Sequence, residues 1–163
     1  MQPKPPAGLP GKARETLAKI LDHVWREECS LSATTRQYGW NVRGPNLYSL
    51  HRLFEEQRRQ LDQWLAQVGQ LAASVGFGPR ESASEIGRAG AAAQPTPSAV
   101  PPRTMIGDLL ARHEEMARRL RQDIARLGDP ATAELLTRLV EFHETTAWML
   151  RMVNTGPGSD QPA

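Results

Sequence analysis

The chain holds 163 residues, 39% hydrophobic and 23% charged, which suits one compact domain with tails and excludes a disordered chain. Its formal net charge of +2 is too small to imply nucleic-acid binding, and no apolar run approaches the ~18 residues of a membrane span. Cys29 is the only cysteine, so no internal disulfide forms, and its helical context favours a small packing residue over a reactive thiol.

The N-terminus, Met1 to Pro10, has no apolar central region and does not read as a secretory signal, so a cytoplasmic location is expected. Residues 1–14 carry Lys4, Lys12 and Arg14 with no acidic residue. We read residues 1–12 as a mobile, proline-rich basic arm. Repeated around a symmetric oligomer, such arms engage phosphates with avidity and strong salt dependence. A purely solubilising arm explains the same residues.

Four amphipathic segments follow. In the first, about residues 13–39, Leu17, Ile20, Leu21, Val24, Glu28 and Leu31 repeat at steps of three and four, with Trp25 beside them. Gly44-Pro45 breaks the pattern, and Asn46 is the expected cap of the next helix. The second segment carries Leu50, Leu53, Phe54, Leu61, Trp64, Leu65, Val68, Leu71 and Val75, and stops at Gly76. The third runs from Thr104 through Ile106, Leu109, Leu110, Met116, Leu120, Ile124 and Leu127 to Gly128. The fourth opens on Asp129-Pro130, a cap followed by proline at the first helical position. Its stripe is Leu135, Leu136, Leu139, Val140, Leu150 and Val153.

Between the second and third segments lies a long link, residues 77–103. Its second half holds too many prolines to stay helical, while Ser82 to Ala89 suits a short helix. The other connections are short turns. Two helical hairpins joined by one long crossover describe an all-α, ferritin-like four-helix bundle over residues 13–154, with a disordered tail at 155–163.

Bundles of this kind hold metals through Glu-x-x-His pairs, and that pattern is missing: Glu141 precedes His143 by two, and Glu144 is followed three residues on by Ala147. His51 and Glu55, one helical turn apart, place an imidazole and a carboxylate on one face. That is half of a metal site.

The run Trp-Asn-Val-Arg-Gly-Pro-Asn-Leu-Tyr-Ser-Leu-His-Arg-Leu-Phe-Glu-Glu-Gln, residues 40–57, resembles the signature of the Dps miniferritins, the DNA-protection-during-starvation family. The resemblance continues at Gly78 to Ser82 and at Phe142 to Arg151. It implies a homo-oligomer of twelve subunits enclosing a hollow shell that stores iron and often binds DNA, which would make the protein nucleoid-associated. It also implies an iron-oxidising site between two subunits. Carried over by position, its histidine is His51 and its acid Glu55, a methylene longer than the usual Asp. The other histidine falls on Gly39, and the facing subunit's Asp and Glu fall on Ala66 and Gln70. Three of five ligands are absent, and iron prefers oxygen donors whose charge offsets its own. The expectation is a degenerate ferroxidase centre, with iron weak or absent there and enzyme activity impaired. Glu28, Glu56 or Asp62 as substitute carboxylates, or Trp40 and Trp64 filling the gap, are the alternatives.

In such a shell the turn and start of the last helix line cation-entry pores, where Asp129 and Glu134 would stand; a helix cap equally explains Asp129. His23, His113 and His143 lack metal-cluster spacing and read as structural or exposed. Arg118, Arg119, Arg121 and Arg126 are interleaved with Glu114, Glu115 and Asp123, the pattern of a solvated, charge-paired face. The functional expectation is a Dps-like shell acting in DNA binding and protection with limited iron sequestration, the alternative being a working ferroxidase on a relocated or partial site.

Overall fold

The computed structural model describes residues 9–76 and 100–155. They form four helices: α1 (Gly11–Asn41), α2 (Leu47–Ser74), α3 (Pro102–Ile124) and α4 (Pro130–Thr155). Most of the basic arm with Lys4, the expected crossover helix and the C-terminal tail lie outside the described residues.

Helix α1 starts earlier than its stripe suggests. Pro10 holds φ −56° and ψ 146° at the cap and its carbonyl accepts from Arg14 N at 3.0 Å, so winding begins at Gly11. Lys12 and Arg14 therefore stand in the exposed first turn of α1 and not on a free arm. Pro101 caps α3 in the same manner, with φ −60° and ψ 143°. Asn46 occupies the cap position of α2, but its side chain makes no capping bond; Gly44, at φ +105°, makes the turn instead. Asp129 does cap α4, accepting from the Thr132 backbone N–H at 3.0 Å.

Two apolar clusters fill the bundle. One joins Leu17, Leu21, Val24, Val68, Leu120, Leu136 and Leu139; the other joins Leu31, Phe54, Leu61, Met105, Leu109 and Leu150. The second gathers the C-terminal half of α1, the N-terminal halves of α2 and α3, and the C-terminal half of α4. Helices α2 and α3 therefore run in the same direction, and α2, at 28 residues, is about 42 Å long. The α1/α2 and α3/α4 hairpins pack along their lengths and meet each other more sparsely. Gly69 of α2 faces Trp25 of α1, and a Cβ there would make ordinary contact with Trp25 Nε1 at 3.5 Å. No helix among the described residues is long and apolar enough to cross a membrane.

Candidate metal centre and its surroundings

His51 and Glu55 stand on one face of α2 beside Gly39. Gly39 near the end of α1 and His51 and Glu55 on α2 come together because the short turn folds α2 back along α1. His51 Nδ1 lies 2.8 Å from the Gly39 carbonyl oxygen. A carbonyl only accepts, so Nδ1 carries the hydrogen and the Nε2 lone pair is left available. A Cβ at Gly39 would sit 3.7 Å from Glu55 Oε1 and 3.9 Å from His51 Nδ1, so a side chain at this position would enter the site.

Glu55 is already engaged. The Arg58 guanidinium donates to Glu55 Oε2 through Nε (3.3 Å) and a terminal nitrogen (3.2 Å), and to Asp62 Oδ2 through the other (2.6 Å). Asp62 in turn accepts from the Ser32 hydroxyl at 2.7 Å. Residues 51, 55, 58 and 62 follow helical spacing on one stripe of α2, so a fixed cation stands among the very carboxylates that would neutralise a metal. Ala66 and Gln70 lie exposed further along α2. Glu56 faces away, binding Arg59 and Gln60, and the Arg59 and then Gln60 bonds hold its carboxyl below the usual range.

Within one subunit, this half of the donor set offers one imidazole nitrogen and one carboxylate paired with arginine, too little anionic oxygen to hold two metals by itself. Among the described residues no three His, Cys, Asp or Glu side chains converge closely enough to hold a metal ion. In the single subunit Trp40 is 67% exposed and Trp64 packs on Phe142, ring centres 6.1 Å apart.

Elsewhere, Asp129 is committed to its cap and Glu134 is exposed. The arginine run is paired as its spacing implies: Arg118 and Arg119 with Glu115, Arg126 with Asp123, and Arg121 with Glu144 across the α3/α4 hairpin. The sequence reading missed two features. Arg58, three residues after Glu55 and four before Asp62, has the spacing of any surface charge pair. Glu28, His113 and His143 are fully buried and bonded in series, a grouping that only helix register reveals.

A family model described as a ferritin-like domain matches residues 18–155. The chain belongs to that ferritin-like family. Within it the chain is a Dps-type miniferritin. It is 32% identical to an uncharacterized low temperature-induced protein of Nostoc sp., over 96% of this chain and 92% of that one. It is 25% identical to the DNA protection during starvation protein of Agrobacterium fabrum, over 87% and 90% of the two chains. The Dps of Mycobacterium smegmatis superposes with a TM-score of 0.80 at 20% identity, covering 97% of each chain, which establishes the shared fold.

Proposed function

We propose that this miniferritin builds a closed homo-oligomeric shell, of twelve subunits as the family resemblance implies, that associates with DNA and protects it, and that its seam between subunits has lost rapid iron oxidation. The bridging of Glu55 and Asp62 by Arg58 carries this reading. Iron entering such a shell would be held sparsely, without a stoichiometric oxidation step at the seam.

Assembly is supported by the exposed apolar side chains Trp40, Leu47, Tyr48, Trp148, Met152 and Val153, which cluster at the end of the bundle shared by the α1/α2 turn and the end of α4. Their burial between copies would recover free energy of about 25 cal/mol per Å². Lys12 and Arg14, exposed at the opposite end of α1, with Lys4 ahead of them, support phosphate contact. The name of the Agrobacterium relative is consistent with this role.

The test combines two measurements on the assembled protein. Peroxide-driven oxidation of added Fe(II), followed by absorbance, should show no fast phase proportional to subunit concentration. Duplex DNA should be retarded in low salt and released as salt rises, and deletion of residues 1–12 should weaken the retardation. A fast stoichiometric phase overturns the first half, and unchanged retardation after truncation overturns the second.

A specific observation favours the relocated-site alternative. The Nε2 of His51 is free, and Asp62 stands one helical turn before Ala66 on the same helix. A fast phase abolished by changing either His51 or Asp62 would select that reading.

A further inference from the structure

The most unusual interior feature is a chain of three ionisable side chains with no access to solvent. Glu28 on α1, His143 on α4 and His113 on α3 are each 0% exposed. Glu28 Oε1 lies 2.6 Å from His143 Nε2, and His143 Nδ1 lies 2.9 Å from His113 Nδ1. Glu28 Oε2 and His113 Nε2, at the two ends, have no hydrogen-bond partner among the described residues. Three of the four helices are thus tied by two bonds, one within the second hairpin and one between the hairpins.

The bonding limits the protons this chain holds. With Glu28 as a carboxylate, the contact to His143 requires hydrogen on Nε2. The facing Nδ1 atoms then admit a single hydrogen between them, carried by either ring. When His143 carries it, the imidazolium neutralises the Glu28 carboxylate, as a buried charge requires. Only when both rings are cationic does N–H face N–H across the Nδ1 pair, with one carboxylate left to offset two charges. The bond between α3 and α4 cannot survive that state.

Among the described residues, the remaining surroundings offer no second counter-charge. From α1, Cys29 stands next to Glu28, and its thiol is pushed up to about 12 by burial, then by Glu28 and Asp62. From α2 the buried polar group is Gln57, which is neutral, and Asp62 is held by Arg58 and Ser32. On α3, Glu114 pairs with Arg151 and Arg112 with Asp108, both at the surface. On α4, Glu144 pairs with Arg121 and Glu141 is exposed. The rings of Phe142 and His143 otherwise enclose His113, at centroid distances of 5.9 and 5.0 Å.

We propose that Glu28, His143 and His113 form a proton-operated latch that holds the bundle closed at neutral pH and releases α3 from α4 in acid. Burial, and then the charge of His143, hold His113 well below the usual histidine range. A base depressed in this way is neutral in both folded and unfolded chains above about pH 6.5. Below that, the unfolded chain takes up the proton first, so stability is lost as pH falls.

The assembled full-length protein provides the test. Deuterium exchange at the imidazole C2 position, read by mass spectrometry, titrates each histidine separately. Amide exchange reports opening of α3 and α4. His113 should titrate at a clearly higher proton concentration than an ordinary histidine. Amide exchange across 105–120 and 136–150, corrected for intrinsic chemistry, should accelerate severalfold between pH 7.5 and 5. The variant His113→Leu should lose that acceleration. Ordinary titration of His113 in the native protein, or exchange that stays flat into acid, refutes the latch without recourse to any variant. Equal acid acceleration in His113→Leu refutes it as well.

Discussion

Replacing Arg58 with Met tests whether that guanidinium keeps metals out of the seam. The change removes one positive charge while keeping much of the aliphatic stem. Stability should suffer little: both ion pairs join neighbours on one helix, Arg58 is 25% exposed, and the carboxylates are 35% and 40% exposed. Exposed helical pairs contribute about 0.3–0.5 kcal/mol each, so the loss should stay below about 1 kcal/mol. The effect on a dication is larger. Two unit charges 4 Å apart interact with about 1 kcal/mol in water and about 4 kcal/mol near a protein surface, doubled for a divalent ion. Even the aqueous limit gives about 2 kcal/mol, or roughly thirtyfold in affinity. Calorimetric titration with Co²⁺ or Zn²⁺ at low salt would measure it. Arg59→Met is the matched control, because Arg59 pairs with the outward Glu56 and removes the same charge away from the half-site. Equal gains for the two variants, or none for Arg58→Met, would refute the argument.

Cys29, with its thiol pushed up to about 12, should react with iodoacetamide at pH 8 far more slowly than a free thiol, and unfolding should restore ordinary reactivity. The Tyr38 hydroxyl donates to Asp108 at 2.8 Å, and burial followed by this bond pushes it up to about 12. The folded chain therefore keeps a proton that the unfolded chain loses above about pH 10, so stability should fall between pH 10 and 12, and Tyr38→Phe should flatten that fall in thermal scans. Asp129→Ala should cost about 1 kcal/mol by removing the cap on α4, read as a lowered denaturation midpoint. Leu61→Ala, at a side chain with 0% exposure, should cost about 2.7–5 kcal/mol by chemical denaturation, and a loss under 1 kcal/mol would argue against the packing described.

The helices were legible because leucines, valines and isoleucines recur with the helical period. The observed cores use Leu17, Leu21, Val24, Leu61, Leu109, Leu120 and Leu136 as their stripes imply. Helix starts were less legible: Pro10 and Pro101 look like breakers, yet each sits where its missing N–H is not needed. Val153 belongs to its stripe by spacing but is 39% exposed, in the last turn of α4. The placing of His51 beside Glu55 was legible, since four residues along one helix fix their neighbourhood. Arg58 was not, because a spacing of three or four between opposite charges is equally the signature of an idle surface pair. The buried triad left a partial trace in Glu28, an acid within an apolar stripe. Its link to His143 depends on how two helices 115 residues apart in sequence slide past each other, which no local pattern records.

The bond between Glu28 and His143 also bears on how the two hairpins find one another. A seam built from leucines alone tolerates slippage by one turn, about 5.4 Å, because one branched side chain fills another's hollow almost as well. Slippage at this seam would strand an acid and an imidazole in hydrocarbon, with neither water nor partner. Misaligned dockings are thereby penalised far more than the aligned one is rewarded. The hairpins, separated by a long tether, are left with a single alignment worth keeping.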